Sequence, residues 1–177
     1  MKILARLFVM FCLTGQIVAA ATPTAEQVLA EARAKAATEQ KVIFLHFGAS
    51  WCGWCKRLDA FLDRPDIKPV FEKHFIPVKL VVQENEQNKA LENIGADAVL
   101  KKLGGPAGLP FSAFLGADGQ LIVNSMRPSS GSEGENIGHP VQPAEVDWFV
   151  SMMKKAAPKI SEDDLKIIET ALRNQKK

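Results

Sequence analysis

Trp51-Cys52-Gly53-Trp54-Cys55-Lys56 sets two cysteines three residues apart, where an apolar run gives way to a helical pattern. Residues 41–47 carry Val42, Ile43, Phe44, Leu45 and Phe47 with little polar alternation, which predicts a strand buried on both faces. Gly48-Ala49-Ser50 breaks it, and residues 51–63 place Leu58, Phe61 and Leu62 at helical spacing. A helix start leaves unpaired N–H groups and a partial positive charge, so a thiol there ionises more easily than a free one. Cys52 is therefore the candidate nucleophile. Cys55 is the candidate resolving thiol, within reach of a mixed disulfide on Cys52. The same spacing also serves half a zinc site or a static disulfide. Tetrahedral zinc wants four ligands, and only His46, His74 and His139 would remain as nitrogen donors.

Outward from the motif, Pro65 ends or kinks the helix, and residues 66–74 form a short second piece. Residues 75–82 predict another buried strand, and residues 84–103 a helix with Ala90, Leu91, Ile94, Val99 and Leu100 on its core face. Residues 104–110, Gly-Gly-Pro-Ala-Gly-Leu-Pro, are turn-rich. Two short strands follow, 111–115 and 120–123, joined by Gly116-Ala117-Asp118-Gly119, where Asp-Gly supplies the positive φ angles of a hairpin turn. Upstream, Thr24 and Gln27 have capping-box spacing before an amphipathic helix over 25–38. Downstream, residues 127–143 read as a long loop rich in Pro, Ser and Gly. Two helices close the chain, one over 143–157 burying Val146, Phe149, Val150 and Met153, the other capped by Ser161 and burying Leu165, Ile168 and Leu172. Strand, helix, strand, helix and hairpin give an α/β fold: a mixed central sheet flanked by helices, with an extra N-terminal helix and two C-terminal helices.

Over residues 41–124 the chain resembles the thioredoxin superfamily, in particular exported members carrying Trp-Cys-Gly-x-Cys-Lys. The resemblance implies that Cys52 and Cys55 form a redox-active disulfide. It also implies that Leu109-Pro110 is the family's cis-proline, facing Cys52, with the Leu109 backbone pairing to a substrate strand. Trp51 and Trp54 would form the rim of the substrate groove. Many thioredoxins carry a buried acid six positions before the first cysteine; this chain has His46 there, a possible proton shuttle for Cys55 or a core histidine. The uncharged Gly53-Trp54 pair leans the couple towards reduction, on a scale of about −270 to −120 mV. No separate cofactor or metal is expected.

The first twenty residues, with Lys2 and Arg6, the apolar run 7–13 and Ile17-Val18-Ala19-Ala20, form a secretory signal cleaved near Ala20. The apolar run is too short for a spanning helix, so no stable membrane anchor is expected after cleavage. The organisation is then a signal at 1–20, a helix at 21–40, the core at 41–126, and a loop plus helical extension at 127–177. The full chain of 177 residues has 22 basic and 20 acidic side chains and three cysteines; cleavage also removes Cys12 and leaves one pair. Charge so balanced, with no basic block, argues against nucleic acid. The expected activity is thiol–disulfide oxidoreduction on exported proteins, in the periplasm or outside the cell, more reductase than oxidase and recharged by a membrane electron donor. The rival is a non-catalytic thioredoxin-fold binding module whose cysteine pair is a static disulfide or holds a metal.

Overall fold

The computed structural model describes residues 21–175 except 107, 130 and 131; the expected signal segment lies outside the described residues. Helix α1 (Ala25–Glu39) starts with the expected capping box, the Gln27 amide N–H donating to Thr24 Oγ1 and the Thr24 N–H to Gln27 Oε1. Strand β1 (Val42–Gly48) leads into α2 (Gly53–Leu62), which stops before Pro65. Then come α3 (Lys68–Glu72), β2 (Phe75–Val81), a 3₁₀ segment (Glu86–Leu91), α4 (Ala96–Lys102), β3 (Phe111–Leu115) and β4 (Leu121–Asn124). Strands β5 (Met126–Ser129) and β6 (Ser132–Asn136) precede α5 (Pro143–Ala156) and α6 (Glu162–Arg173).

The main sheet has the order β2-β1-β3-β4, with β1 and β2 parallel and the other pairs antiparallel, the mixed arrangement expected. Pro77 is tolerated because β2 is an edge strand. Side chains of β1 alternate between two cores. Ile43, Leu45 and Phe47 meet α1 and α4 through Ala32, Ala36 and Leu100, whereas Phe44 meets α2, α3, α5 and α6 through Leu58, Phe71, Phe149 and Ile168. The two C-terminal helices thus complete the second core. Their docking is pinned at the surface by Asp164, which accepts hydrogen bonds from both Lys73 and His74 at 2.7 Å.

Three expectations are corrected. The single helix over 84–103 is broken into the 3₁₀ segment and α4, because Asn93 is tied elsewhere: its Oδ1 accepts the Val81 N–H, its Nδ2 donates to Pro23 O, and its own N–H donates to Val81 O. Gly95 then turns at φ 88° to start α4, and Ile94, expected in the core, is 74% exposed. The second correction falls within 127–143, where the expected loop contains the β5–β6 hairpin. Few apolar residues announce it, since main-chain pairing and an Arg127–Glu135 ion pair across the register hold it. In the β3–β4 turn, Gly119 alone takes a positive φ, 81°, because the bend spans Gly116–Gly119 and the Gly119 N–H closes it onto Gly116 O.

Candidate active site

The site forms at the carboxyl end of the parallel β1–β2 pair. Gly48 ends β1 where a Cβ would stand 3.1 Å from Cys55 Cβ and 3.3 Å from its Sγ, so a side chain there would have to push the second thiol back by a few tenths of an ångström. The chain turns through Ala49 to Cys52, closed by the Cys52 N–H on Ala49 O. Cys52 is the N-cap of α2, and its Sγ accepts the Cys55 N–H at 3.1 Å. The two cysteines are joined as a disulfide; Cys55 is fully buried and Cys52 nearly so. On either side stand the exposed indoles of Trp51 (55%) and Trp54 (47%).

The remaining predicted groove residues converge there. The Leu109-Pro110 bond is cis, and Leu109 packs against Ala49, Cys52 and Cys55. Trp54, Leu109 and Pro110 line one wall of a cleft of about 350 Å³, whose other wall comes from Ile137, Gly138, His139 and Val141. That second wall belongs to the stretch expected to be a plain loop. It delivers Asn136, whose Nδ2 donates to Gly108 O at 3.1 Å and Pro110 O at 3.0 Å, bracing the proline loop on both sides. Its Oδ1 accepts from Ser125 Oγ. His139 sits between Trp54 and Phe61, its Nε2–H donating to Gln175 Oε1. Burial pushes its pKa below the ordinary imidazole value, so the ring is neutral at pH 7.

His46 lies on the α2 side of β1, stacked on Phe44, with Nε2 2.9 Å from Asp59 Oδ1. Lys79, its partner across the β1–β2 register, donates to the other Asp59 oxygen. Burial raises the Asp59 pKa, but the hydrogen bonds from His46 and Lys79 outweigh it and hold the carboxyl below its ordinary value. Asp59 follows Cys55 by one helical turn, on the same face. His46 Nδ1 is buried with no partner. The three histidines are thus committed to Asp59, Asp164 and Gln175, and among the described residues no group of three His, Cys, Asp or Glu is placed to hold a metal.

A polar cradle behind Cys52 escaped sequence reasoning. Glu84, only 6% exposed, accepts the Ser50 N–H on Oε1 and the Ser50 hydroxyl on Oε2. Asn88 Nδ2 donates to the same hydroxyl at 3.0 Å, and Trp51 Nε1 donates to Gln83 O at 2.7 Å. One signal pointed there: residues just past a parallel strand face the crevice in which α/β proteins bind their ligands.

The fold and the paired cysteines define the class, and the chain belongs to the thioredoxin-like family, whose pattern matches residues 24–117; it has the fold and the Cys52–Cys55 pair of a thiol–disulfide oxidoreductase. It is similar to a disulphide isomerase from Xylella fastidiosa Temecula1, with 26% identity over 56% of this chain and 72% of that one, at a TM-score of 0.46. It is also similar to DsbH oxidoreductase, with 24% identity over 73% and 81% at 0.46, and to the C-terminal domain of Neisseria meningitidis DsbD, with 22% identity over 59% and 84% at 0.42. No curated protein matches the sequence. Among the described residues no helix is long and apolar enough to cross a membrane.

Proposed function

We propose that this protein reduces disulfides of exported proteins, with Cys52 as nucleophile and Cys55 as resolving thiol. The observation that carries the reading is Cys52 at the N-cap of α2, accepting the Cys55 N–H beside the Leu109–Pro110 loop. A thiolate formed there meets both a hydrogen-bond donor and the positive end of the helix.

In the reducing direction the Cys52 thiolate attacks one sulfur of a substrate disulfide. A mixed disulfide forms, and the other substrate sulfur leaves as a thiolate and takes up a proton. Cys55 then gives up its proton and attacks Cys52 Sγ. The Cys52–Cys55 disulfide forms, the mixed disulfide breaks, and the second substrate sulfur is protonated. Two electrons have passed from the cysteine pair to the substrate, and the two protons lost by the pair balance those gained. No separate cofactor takes part. Renewal of the pair needs a dithiol donor, and for a chain exported to the periplasm or beyond, that donor is a membrane protein carrying electrons across. Trp51, Trp54, Leu109 and Pro110 bound the groove in which the substrate chain lies.

The uncharged Gly53-Trp54 pair supports the reducing direction, because neither residue stabilises the thiolate. His46 is the proton shuttle for Cys55: its Nε2 is held by Asp59, and Nδ1 keeps a lone pair that nothing in the described protein uses. His46→Ala should shift the pH profile of exchange, and an unchanged profile overturns that role. The reading as a whole is tested by turnover of a model disulfide with dithiothreitol as donor. Wild type should turn over and Cys52→Ser should not; equal rates would leave a static disulfide instead. A reduction potential near −270 mV supports the reductase, whereas one near −120 mV reverses the direction.

A further inference from the structure

We infer that Glu84 is a positioning residue of the Cys52 side: it fixes the turn that presents the nucleophile and sets an unbalanced negative charge behind it, keeping the couple reducing. The inference rests on the oxidoreductase reading and deepens it, since it names a source of the reducing direction within the protein.

The geometry has two parts. Ser50 stands in the turn that closes on Cys52, and Glu84 takes both of its donors, the N–H and the hydroxyl. With Asn88 on the same hydroxyl and Gln83 O on the Trp51 indole, residues 50 and 51 are tied at four points to residues 83–88. A turn so tied cannot swing Cys52 off the helix start. The second part is charge. Every partner of the Glu84 carboxylate is a neutral donor, which satisfies its hydrogen bonds and leaves its charge in place. Of the cations nearby, Lys89 is paired with Glu92 and Lys79 with Asp59, while Lys56 and Arg57, the latter over the Trp54 ring at 4.8 Å, form no ion pair with Glu84. Glu92 adds a second carboxylate to the neighbourhood, on the Glu84 N–H, but its charge is met by Lys89. On the far side of the disulfide, the Asp59 charge is met by Lys79, with His46 as a further hydrogen-bond donor.

An anion so placed disfavours a second anion close by. Ser50 and Cys52 are separated by at most about 7 Å of backbone. For two unit charges about 10 Å apart at an effective dielectric near 20, Coulomb repulsion corresponds to about one pKa unit, so the Glu84 charge should raise the pKa of the Cys52 thiol on that order. A less stable thiolate makes the dithiol state less favourable, so the pair gives up its electrons more readily.

The test is titration of the Cys52 thiolate by its ultraviolet absorbance in reduced full-length protein, beside the potential at a pH where Cys52 is ionised in every variant. Glu84→Gln keeps an acceptor for the Ser50 N–H and removes the charge. It should lower the thiol pKa by about one unit and make the exchange equilibrium about tenfold more oxidising, close to 30 mV. Ser50→Ala loosens the clamp without touching charge and should leave the thiol pKa in place. Equal shifts in both variants, or none in Glu84→Gln, overturn the inference. If Glu84→Gln does not fold, Asn88→Asp adds a carboxylate at the same hydroxyl and must raise the thiol pKa; no rise overturns the inference as well. The titration needs no substrate, so a protein without turnover would still give this answer, and that failure would fall on the oxidoreductase reading alone.

Discussion

The two thiols of the pair stand against different surroundings. Behind Cys55, one helical turn along α2, the Asp59 carboxylate meets His46 on one oxygen and Lys79 on the other. Behind Cys52, the Glu84 carboxylate meets only the N–H and hydroxyl of Ser50. Both carboxylates have hydrogen-bond donors on each oxygen, but charge is balanced only on the first. A buried carboxylate without a cation is costly, and Glu84, held on Ser50 two residues before Cys52, is the one acidic side chain among the buried polar groups of the described residues. Under the roles proposed for the two thiols, the contrast also divides the labour: the balanced side suits proton handling at Cys55, and the unbalanced side suits electrostatic control of Cys52.

The largest break in this contrast comes from the balanced side. Asp59→Leu strips the acceptor from the buried His46 Nε2–H and from Lys79, and an orphaned buried donor costs about 1–3 kcal/mol. Chemical denaturation should show that loss at neutral pH, with the slope against denaturant unchanged. The pH dependence fixes its origin. The folded-state pKa of Asp59 is depressed below its ordinary value of 3.8, so its contribution is fully present above that value and fades as pH falls through the lower folded-state value. Wild type and Asp59→Leu should therefore converge in acid, and a gap that stays constant down to pH 2 would assign the loss to packing instead. By contrast Glu84→Gln, on the unbalanced side, is read in the thiol titration, where Asp59→Leu and Glu84→Gln should act on different cysteines.

How much of this was legible in the sequence follows the distance over which each feature is built. The apolar run of Ile43 to Phe47, the cap at Thr24, the Ser161 start of α6 and the cysteine pair at a helix start are local or periodic, and the structure has all of them. Leu109–Pro110 was legible through resemblance and its place before the hairpin. The cradle was not, because Ser50 and Glu84 lie 34 residues apart and no periodicity links a turn to the end of the neighbouring strand. The same holds for Asn136, which reaches Gly108 from 28 residues away and arrives on a hairpin whose composition reads as loop. Asn93 misled for a related reason: its side chain serves β2 and the N-terminal segment at once, and that tertiary demand overrides helical spacing in residues 84–103. Of the site, then, the cysteine pair and its place at a helix start were readable, and the polar groups packed around it were not.

The smallest effect sharpens the contrast most. Trp51→Phe deletes the indole N–H that donates to Gln83 O and keeps an aromatic ring on the rim. Trp51 is exposed, so water can replace the lost donor, and the cost should stay near the lower end of the 0.5–1.5 kcal/mol typical of such a bond, about 0.5 kcal/mol. In a domain of this size that is a fall of roughly 1–2 °C in Tm, measurable by calorimetry. The loss removes one of four ties to the turn but no charge, so the Cys52 titration should not move. If it moves as far as in Glu84→Gln, the turn's conformation governs the thiol and the charge of Glu84 is incidental. If it stays while Glu84→Gln shifts, the tie from Trp51 steadies the turn and the carboxylate alone sets the chemistry of the nucleophile.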